Sequence, residues 1–120
     1  MAFPSRILGA GNSPLSSSTI CGDGATGLVA VGSTTADALQ LSAVFNAITT
    51  SAASTGVKLP PTEVGAMVGI RNDSGQTVAV YPYDTSSTIN AAAASVNLAT
   101  AKSMILFATS ATTWASVTTA

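Results

Sequence analysis

The sequence predicts an all-β protein, an antiparallel β-sandwich or jelly-roll-like domain with an extended N-terminal arm. Val, Ile and Thr account for 33 of the 120 residues, and these β-branched side chains favour pleated strands over helices. Short apolar runs alternate with polar residues at a period of two and are bounded by Gly, Ser, Asn and Asp, which favour turns. A chain of this length is expected to fold as one domain. Because 22 of its residues are alanine, its hydrophobic core is expected to be thin.

The first 27 residues are predicted to form the arm, and residues 28–120 the β-sandwich body. Gly, Ser and Pro are frequent in the arm, and its apolar residues follow neither the helical nor the strand period. The segment Gly22–Gly27 spells GxGxxG, a pattern that binds a pyrophosphate when it joins a strand to a helix. No strand is predicted before it and no helix after it, so we interpret it as a glycine turn.

Nine strands are predicted in the body, each beside turn-forming residues. They are Leu28–Val31, Ala38–Ser42, Phe45–Thr50, Val57–Leu59, Ala66–Arg71, Val78–Val80, Ser95–Leu98, Ser103–Thr109 and Trp114–Val117. The third and fourth are predicted to form a hairpin, and so are the fifth and sixth, which flank the turn residues Asn72–Gly75. Residues 90–95 are predicted to be a connector, because their short alanine run does not form a stable helix alone.

One segment, Leu41–Thr50, leaves two interpretations open. Its apolar residues have the i, i+3, i+4, i+7 spacing of an amphipathic helix. A helix there must also carry Asn46 and Thr49, which have low helix propensity. The strand is therefore the favoured interpretation.

The run Met104–Ala108 is apolar at every position. A strand of this kind is expected to have both faces covered, either as a central strand or by packing against another subunit. Combined with the thin core, this pattern predicts a homo-oligomer. The predicted interface residues are Met104, Ile105, Leu106 and Phe107.

Charged residues are scarce: the chain has four Lys and Arg and five Asp and Glu, with a formal net charge of −1. No basic patch is available to neutralise several phosphates, so nucleic-acid binding is not expected. No run of 18 apolar residues is present, and no membrane association is expected. Lys58 and Lys102 are interpreted as strand-edge charges, and the glycosylation sequence that starts at Asn72 as a hairpin tip.

Catalytic and metal-binding patterns are absent from the sequence. The chain contains no histidine, so a Ser-His-Asp or Cys-His arrangement cannot form within one chain. Its single cysteine and scattered carboxylates match neither zinc nor calcium spacing. These are Cys21, Asp23, Asp37, Glu63, Asp73 and Asp84. We therefore predict that the protein is not an enzyme and that it takes no cofactor and no metal.

Between Thr55 and Trp114, a series of short motifs occurs in a characteristic order. They are TGVKLP at Thr55–Pro60, RN at Arg71-Asn72, VYP at Val80–Pro82, IN before an Ala-rich run at Ile89-Asn90, and TTW at Thr112–Trp114. In this order they resemble a recurring domain of tailed-bacteriophage structural proteins, similar to head decoration (cement) proteins. The resemblance implies a viral structural protein, made in the host cytoplasm, that binds the major capsid protein on the outer surface of the head and stabilises the shell. It also implies a homotrimer.

The arm is predicted to make part of the capsid contact, because large apolar side chains spaced among Gly, Ser and Pro can be buried along a groove of a partner. These side chains are Phe3, Ile7, Leu8 and Leu15. The alternative function is a tail-fibre or adhesin module that recognises a host surface glycan. In that case exposed Tyr83 and Trp114 would contact the sugar, although such aromatic residues more often pack in a core or an interface.

Overall fold

The computed structural model describes Gly11, residues 22–91 and residues 94–120. This part of the chain contains strands and no helix, which confirms the all-β class. Its strands are β1 (Gly24–Ala30), β2 (Leu39–Gln40), β3 (Phe45–Ser51), β4 (Gly56–Lys58), β5 (Met67–Asn72), β6 (Val78–Tyr81), β7 (Thr88–Ile89), β8 (Val96–Leu98), β9 (Lys102–Ala108) and β10 (Thr113–Thr118).

The strands form two sheets, and the chain passes from one to the other after almost every strand. The large sheet has six strands in the order β1-β3-β5-β9-β10-β7, and the small sheet has four in the order β2-β4-β6-β8. Strands β1, β3 and β5 pair in parallel within the large sheet, and β2, β4 and β6 pair in parallel within the small one. The first six strands therefore wind as successive coils of a solenoid-like arrangement.

The last four strands end this winding. β8 pairs antiparallel with β6, and β9 pairs antiparallel with β5. β10 returns alongside β9 as an antiparallel hairpin, and β7 lies parallel to β10 at the far edge of the large sheet. The core lies between the two sheets.

The prediction of mainly antiparallel pairing is wrong for the described strands. Both predicted hairpins fail for the same reason: β3 and β4 belong to different sheets, and so do β5 and β6. The turn at Asn72–Gly75 carries the chain across the core to the other sheet. Period-two alternation indicates that a segment is a strand but does not indicate which strand it pairs with.

The start of the first strand and the interpretation of Gly22–Gly27 as a turn are both corrected. Strand β1 begins at Gly24, ahead of the predicted boundary at Leu28. The glycine motif is consequently part of a strand: its register with β3 shifts between Ala25 and Leu28, and Gly27 has a φ of 70°. Glycine adopts this positive φ at an irregularity of the ladder without a steric penalty. For Leu41–Thr50 the favoured strand interpretation is confirmed and the helical alternative is wrong, since β3 occupies most of that segment.

The core consists of apolar side chains from both sheets. Those with no exposed surface are Ile48, Val57, Leu59, Val78, Val80, Ile89, Leu98, Leu106 and Trp114. Strand β9 is a central strand, between β5 and β10. This was one of the two positions predicted for the apolar run Met104–Ala108. Its side chains alternate, however: Met104 and Leu106 point into the core, whereas Ile105 and Phe107 point outward.

One buried polar side chain, Asn72, connects the two sheets. Its Nδ2 donates hydrogen bonds to the carbonyl oxygens of Gln76 at 2.7 Å and of Leu98 at 2.8 Å. Its Oδ1 accepts hydrogen bonds from the amide nitrogen and the hydroxyl of Ser74, at 3.0 and 2.7 Å. Since Asn72 ends β5 and Leu98 ends β8, this side chain fixes the turn between the sheets rather than the tip of a hairpin.

Candidate functional site

The outward side of the large sheet carries a group of exposed apolar side chains, which we call the apolar face. Its large members are Phe45, Met67, Ile105, Phe107 and Val117, with exposed fractions of 40%, 43%, 47%, 40% and 62%. They lie on β3, β5, β9 and β10, which are consecutive in the sheet.

Strand register places these side chains next to one another. Phe45 aligns with Gly69 of β5, Gly69 with Ile105, and Ile105 with Val117. In the neighbouring row, Met67 aligns with Phe107. Side chains at aligned positions of adjacent strands are in contact distance, about 5 Å between Cβ atoms. The apolar face is thus one continuous patch.

A groove of about 480 Å³ runs beside this patch, with Phe45 and Ile105 on its walls. Gly69 lies at its floor, and the Phe45 ring lies against this glycine, because a Cβ there would be only 2.9 Å from Cδ1 of the ring. Position 69 therefore accommodates the Phe45 ring because it has no side chain.

The charge at the margin of the apolar face is neutralised within the chain. Arg71 Nε donates a hydrogen bond to Asp73 Oδ1 at 2.8 Å, and Arg71 Nη1 donates to the Ala101 carbonyl oxygen at 2.9 Å. The pair is exposed, so it contributes little to stability. Because of this pair, the Arg71 guanidinium does not require an acidic group on a partner surface.

The predicted interface residues lie on both sides of β9, because successive side chains of the strand point in opposite directions. Ile105 and Phe107 lie on the apolar face. Met104 and Leu106 are wrong as interface residues, because they are 2% and 0% exposed in the core. Phe45, Met67 and Val117 were missed, since each comes from a separate segment and only the strand order brings them together.

The arm residues Phe3, Ile7, Leu8 and Leu15 lie outside the described residues. Their predicted contact with a capsid stays a prediction.

The aromatic residues proposed for glycan binding have different environments. Trp114 is completely buried, and its Nε1 donates a hydrogen bond to Thr62 Oγ1 at 3.0 Å. It therefore cannot contact a sugar as the alternative function required, and it has the core environment that is more common for such residues. Tyr83 is 37% exposed, and Lys58 Nζ lies 5.8 Å from the centroid of its ring.

Within residues 22–91 and 94–120, no cluster of three or more His, Cys, Asp or Glu side chains is placed to hold a metal ion. The same residues include no helix with the length and apolar character needed to cross a membrane. Lys102, one of the two lysines considered as strand-edge charges, donates through Nζ to the carbonyl oxygen of Ala120.

Comparison with known proteins yields no significant match to a family model, to a curated protein or to a solved structure. The bacteriophage resemblance consequently rests on the sequence motifs alone.

Proposed function

We propose that this protein is a structural component of a virus particle, a decoration (cement) protein that binds the outer surface of a phage head and stabilises the shell. The observation that carries the proposal is the apolar face. Large contiguous apolar patches are uncommon on soluble monomers and mark surfaces that interact with a partner. The motif order from Thr55 to Trp114 supports the virion as the place of assembly.

The partner on the apolar face is a further copy of the same chain. A formal net charge of −1 produces almost no repulsion between copies. Among the described residues, the cation at the margin of the face is Arg71, which is already paired with Asp73. Burial of exposed apolar surface contributes about 25 cal/mol per Å². The resemblance favours a homotrimer.

The self-association is tested by Ile105→Asp. A carboxylate buried without a partner in an apolar contact is strongly unfavourable, while in the isolated subunit Ile105 is 47% exposed. We expect sedimentation equilibrium at micromolar concentration to give an oligomer for the parent protein and a monomer for this variant. The circular dichroism spectrum should stay unchanged.

Val29→Asp is the matched control, because Val29 is 48% exposed but lies on β1, outside the four strands of the apolar face. We expect it to leave the oligomer intact. A monomeric parent protein, or equal dissociation of both variants, would contradict the proposed interface.

Attachment to the capsid is assigned to the arm. Each fully buried Leu, Ile or Phe contributes about 1.5–3 kcal/mol before the entropy of ordering is subtracted. Deletion of residues 2–20 is expected to abolish co-sedimentation with undecorated capsids and to remove their added heat resistance. Binding of the full chain should weaken only slightly between low and moderate salt, because so few charges are involved. Undiminished binding after the deletion would show that the arm is not the anchor.

A further inference from the structure

The outward side of the small sheet carries a polar depression of about 370 Å³. Its rim includes Ser33, Thr55, Thr77, Ser95 and Asn97, and Tyr81 forms one wall. We propose that this depression, which we call the polar depression, binds a neutral carbohydrate.

The depression lies over Ala79 of β6, whose side chain is small, with Tyr81 at one side. Gly56 of β4 aligns with Ala79 of β6, and Ala79 aligns with Asn97 of β8. The Tyr81 ring lies against Gly56, where a Cβ would be 2.6 Å from ring atom Cε2. Gly56 therefore accommodates the Tyr81 ring, and the small side chain of Ala79 leaves space beside that ring for a ligand.

Two parts of the rim are held in place before any ligand binds. The Tyr81 hydroxyl donates to the Ser33 carbonyl oxygen at 2.7 Å, and Thr55 Oγ1 donates to the Ala52 carbonyl oxygen at 2.8 Å. A preorganised site loses less entropy on binding than one that must be ordered by its ligand.

The loop that contains Ser33 is itself fixed by Asp37. The carboxylate oxygen Oδ1 accepts hydrogen bonds from the Thr34 hydroxyl at 2.7 Å, the Thr34 amide at 2.8 Å and the Ser33 amide at 3.1 Å. The hydroxyl of Thr34, followed by its amide, lowers the pKa of Asp37 below the ordinary value. The carboxylate therefore stays ionised, and the loop stays in place, to a lower pH than an ordinary Asp would allow.

The chemistry of the rim identifies the class of ligand. None of the residues that line the depression is charged, so neither an anion nor a cation finds a counter-charge there. The Asn97 side chain is exposed on β8 and makes no hydrogen bond to another described residue, so its amide can both donate and accept. Hydroxyl and amide groups beside an aromatic ring match a sugar, which has hydroxyls at its edge and C–H groups on its faces.

Access to the polar depression depends on the proposed function. The two sheets pack through their inner sides, so the apolar face and the polar depression lie on opposite sides of the molecule. When the apolar face is covered by other copies, the polar depression faces solution. A decoration protein assembled in this way would leave its sugar sites uncovered by the neighbouring copies.

The test is a titration of the ¹⁵N-labelled full chain with the methyl glycosides of glucose, galactose, mannose and N-acetylglucosamine, followed by a glycan array. At least one neutral sugar should give saturable shifts of the amides around Ala79 and Asn97. Asn97→Ala removes one rim hydrogen bond and is expected to weaken binding about five- to tenfold. Gln40→Ala, an exposed amide on β2 outside the depression, is the matched control and should leave binding unchanged.

Absence of saturable shifts with every neutral sugar, binding of acidic sugars alone, or equal weakening by both variants would overturn the inference. None of these results would affect the sedimentation and capsid assays of the proposed function. Conversely, a monomeric protein that binds a neutral sugar at this depression would contradict the proposed assembly and leave the sugar site standing.

Discussion

Replacement of Trp114 by alanine is expected to destabilise the body by about 3–5 kcal/mol, the usual cost of removing a large aromatic side chain from a core. Trp114 has no exposed surface, and β10, which carries it, contacts β9 on one side and β7 on the other. The substitution creates a cavity where both neighbouring strands pack. It also leaves Thr62 Oγ1 without the hydrogen bond donated by Nε1.

Urea unfolding of the Trp114→Ala variant measures this loss. Tyr83→Ala is the control, since Tyr83 is also aromatic but is 37% exposed, and it should lower the free energy of unfolding far less. Trp114→Phe keeps most of the volume and should recover much of the stability. Similar losses for Trp114→Ala and Tyr83→Ala would show that Trp114 does not belong to the core as described.

Asn72→Ala is expected to cost roughly 2–4 kcal/mol, because it removes four hydrogen bonds made by a completely buried side chain. The carbonyl oxygens of Gln76 and Leu98 each lose the hydrogen bond donated by Nδ2, and the Ser74 amide loses its acceptor. Asn72→Asp retains the shape but turns a donor into a carboxylate oxygen facing two carbonyl oxygens. We expect it to be at least as destabilising as the alanine variant at neutral pH.

The matched control is Asn97→Ala, at an exposed asparagine on the small sheet, and a surface substitution of this kind usually changes stability by less than about 0.5 kcal/mol. Thermal and urea unfolding of the three variants provide the comparison. An Asn72→Ala protein as stable as the Asn97→Ala protein would mean that the connection between the sheets does not depend on Asn72.

Several elements could be predicted because their signal is local. The segments around Val68 and Val80 have period-two alternation, and the segment around Leu106 is a short continuous apolar run. All three are bounded by turn formers, and the structure has strands there. The turn at Asn72–Gly75 was predicted from residues that favour turns. In each case the information lies within about ten consecutive residues.

The candidate site was only partly predictable, because its residues come from segments that are far apart in the sequence. Ile105 and Phe107 were predicted as interface residues because they belong to one apolar run, and they lie on the apolar face. Phe45 and Val117 are far from that run in sequence and reach it through Gly69 and through the β9–β10 pairing. The polar depression is likewise formed by residues from the loop after β1 and from β4, β6 and β8. No local sequence pattern predicts it.

The sequence by itself determined the all-β class, the absence of a histidine-based catalytic group, and the small number of charges. These properties follow from the composition and from period-two alternation, which depend only on each residue and its neighbours in sequence. Only the tertiary structure decided that the first six strands pair in parallel in two sheets, that Trp114 is core, and that Ile105 and Phe107 form one surface with Phe45. The physical reason is that strand pairing depends on hydrogen bonds between backbone groups common to all residues, so the choice of partner is made by the packing of the whole core.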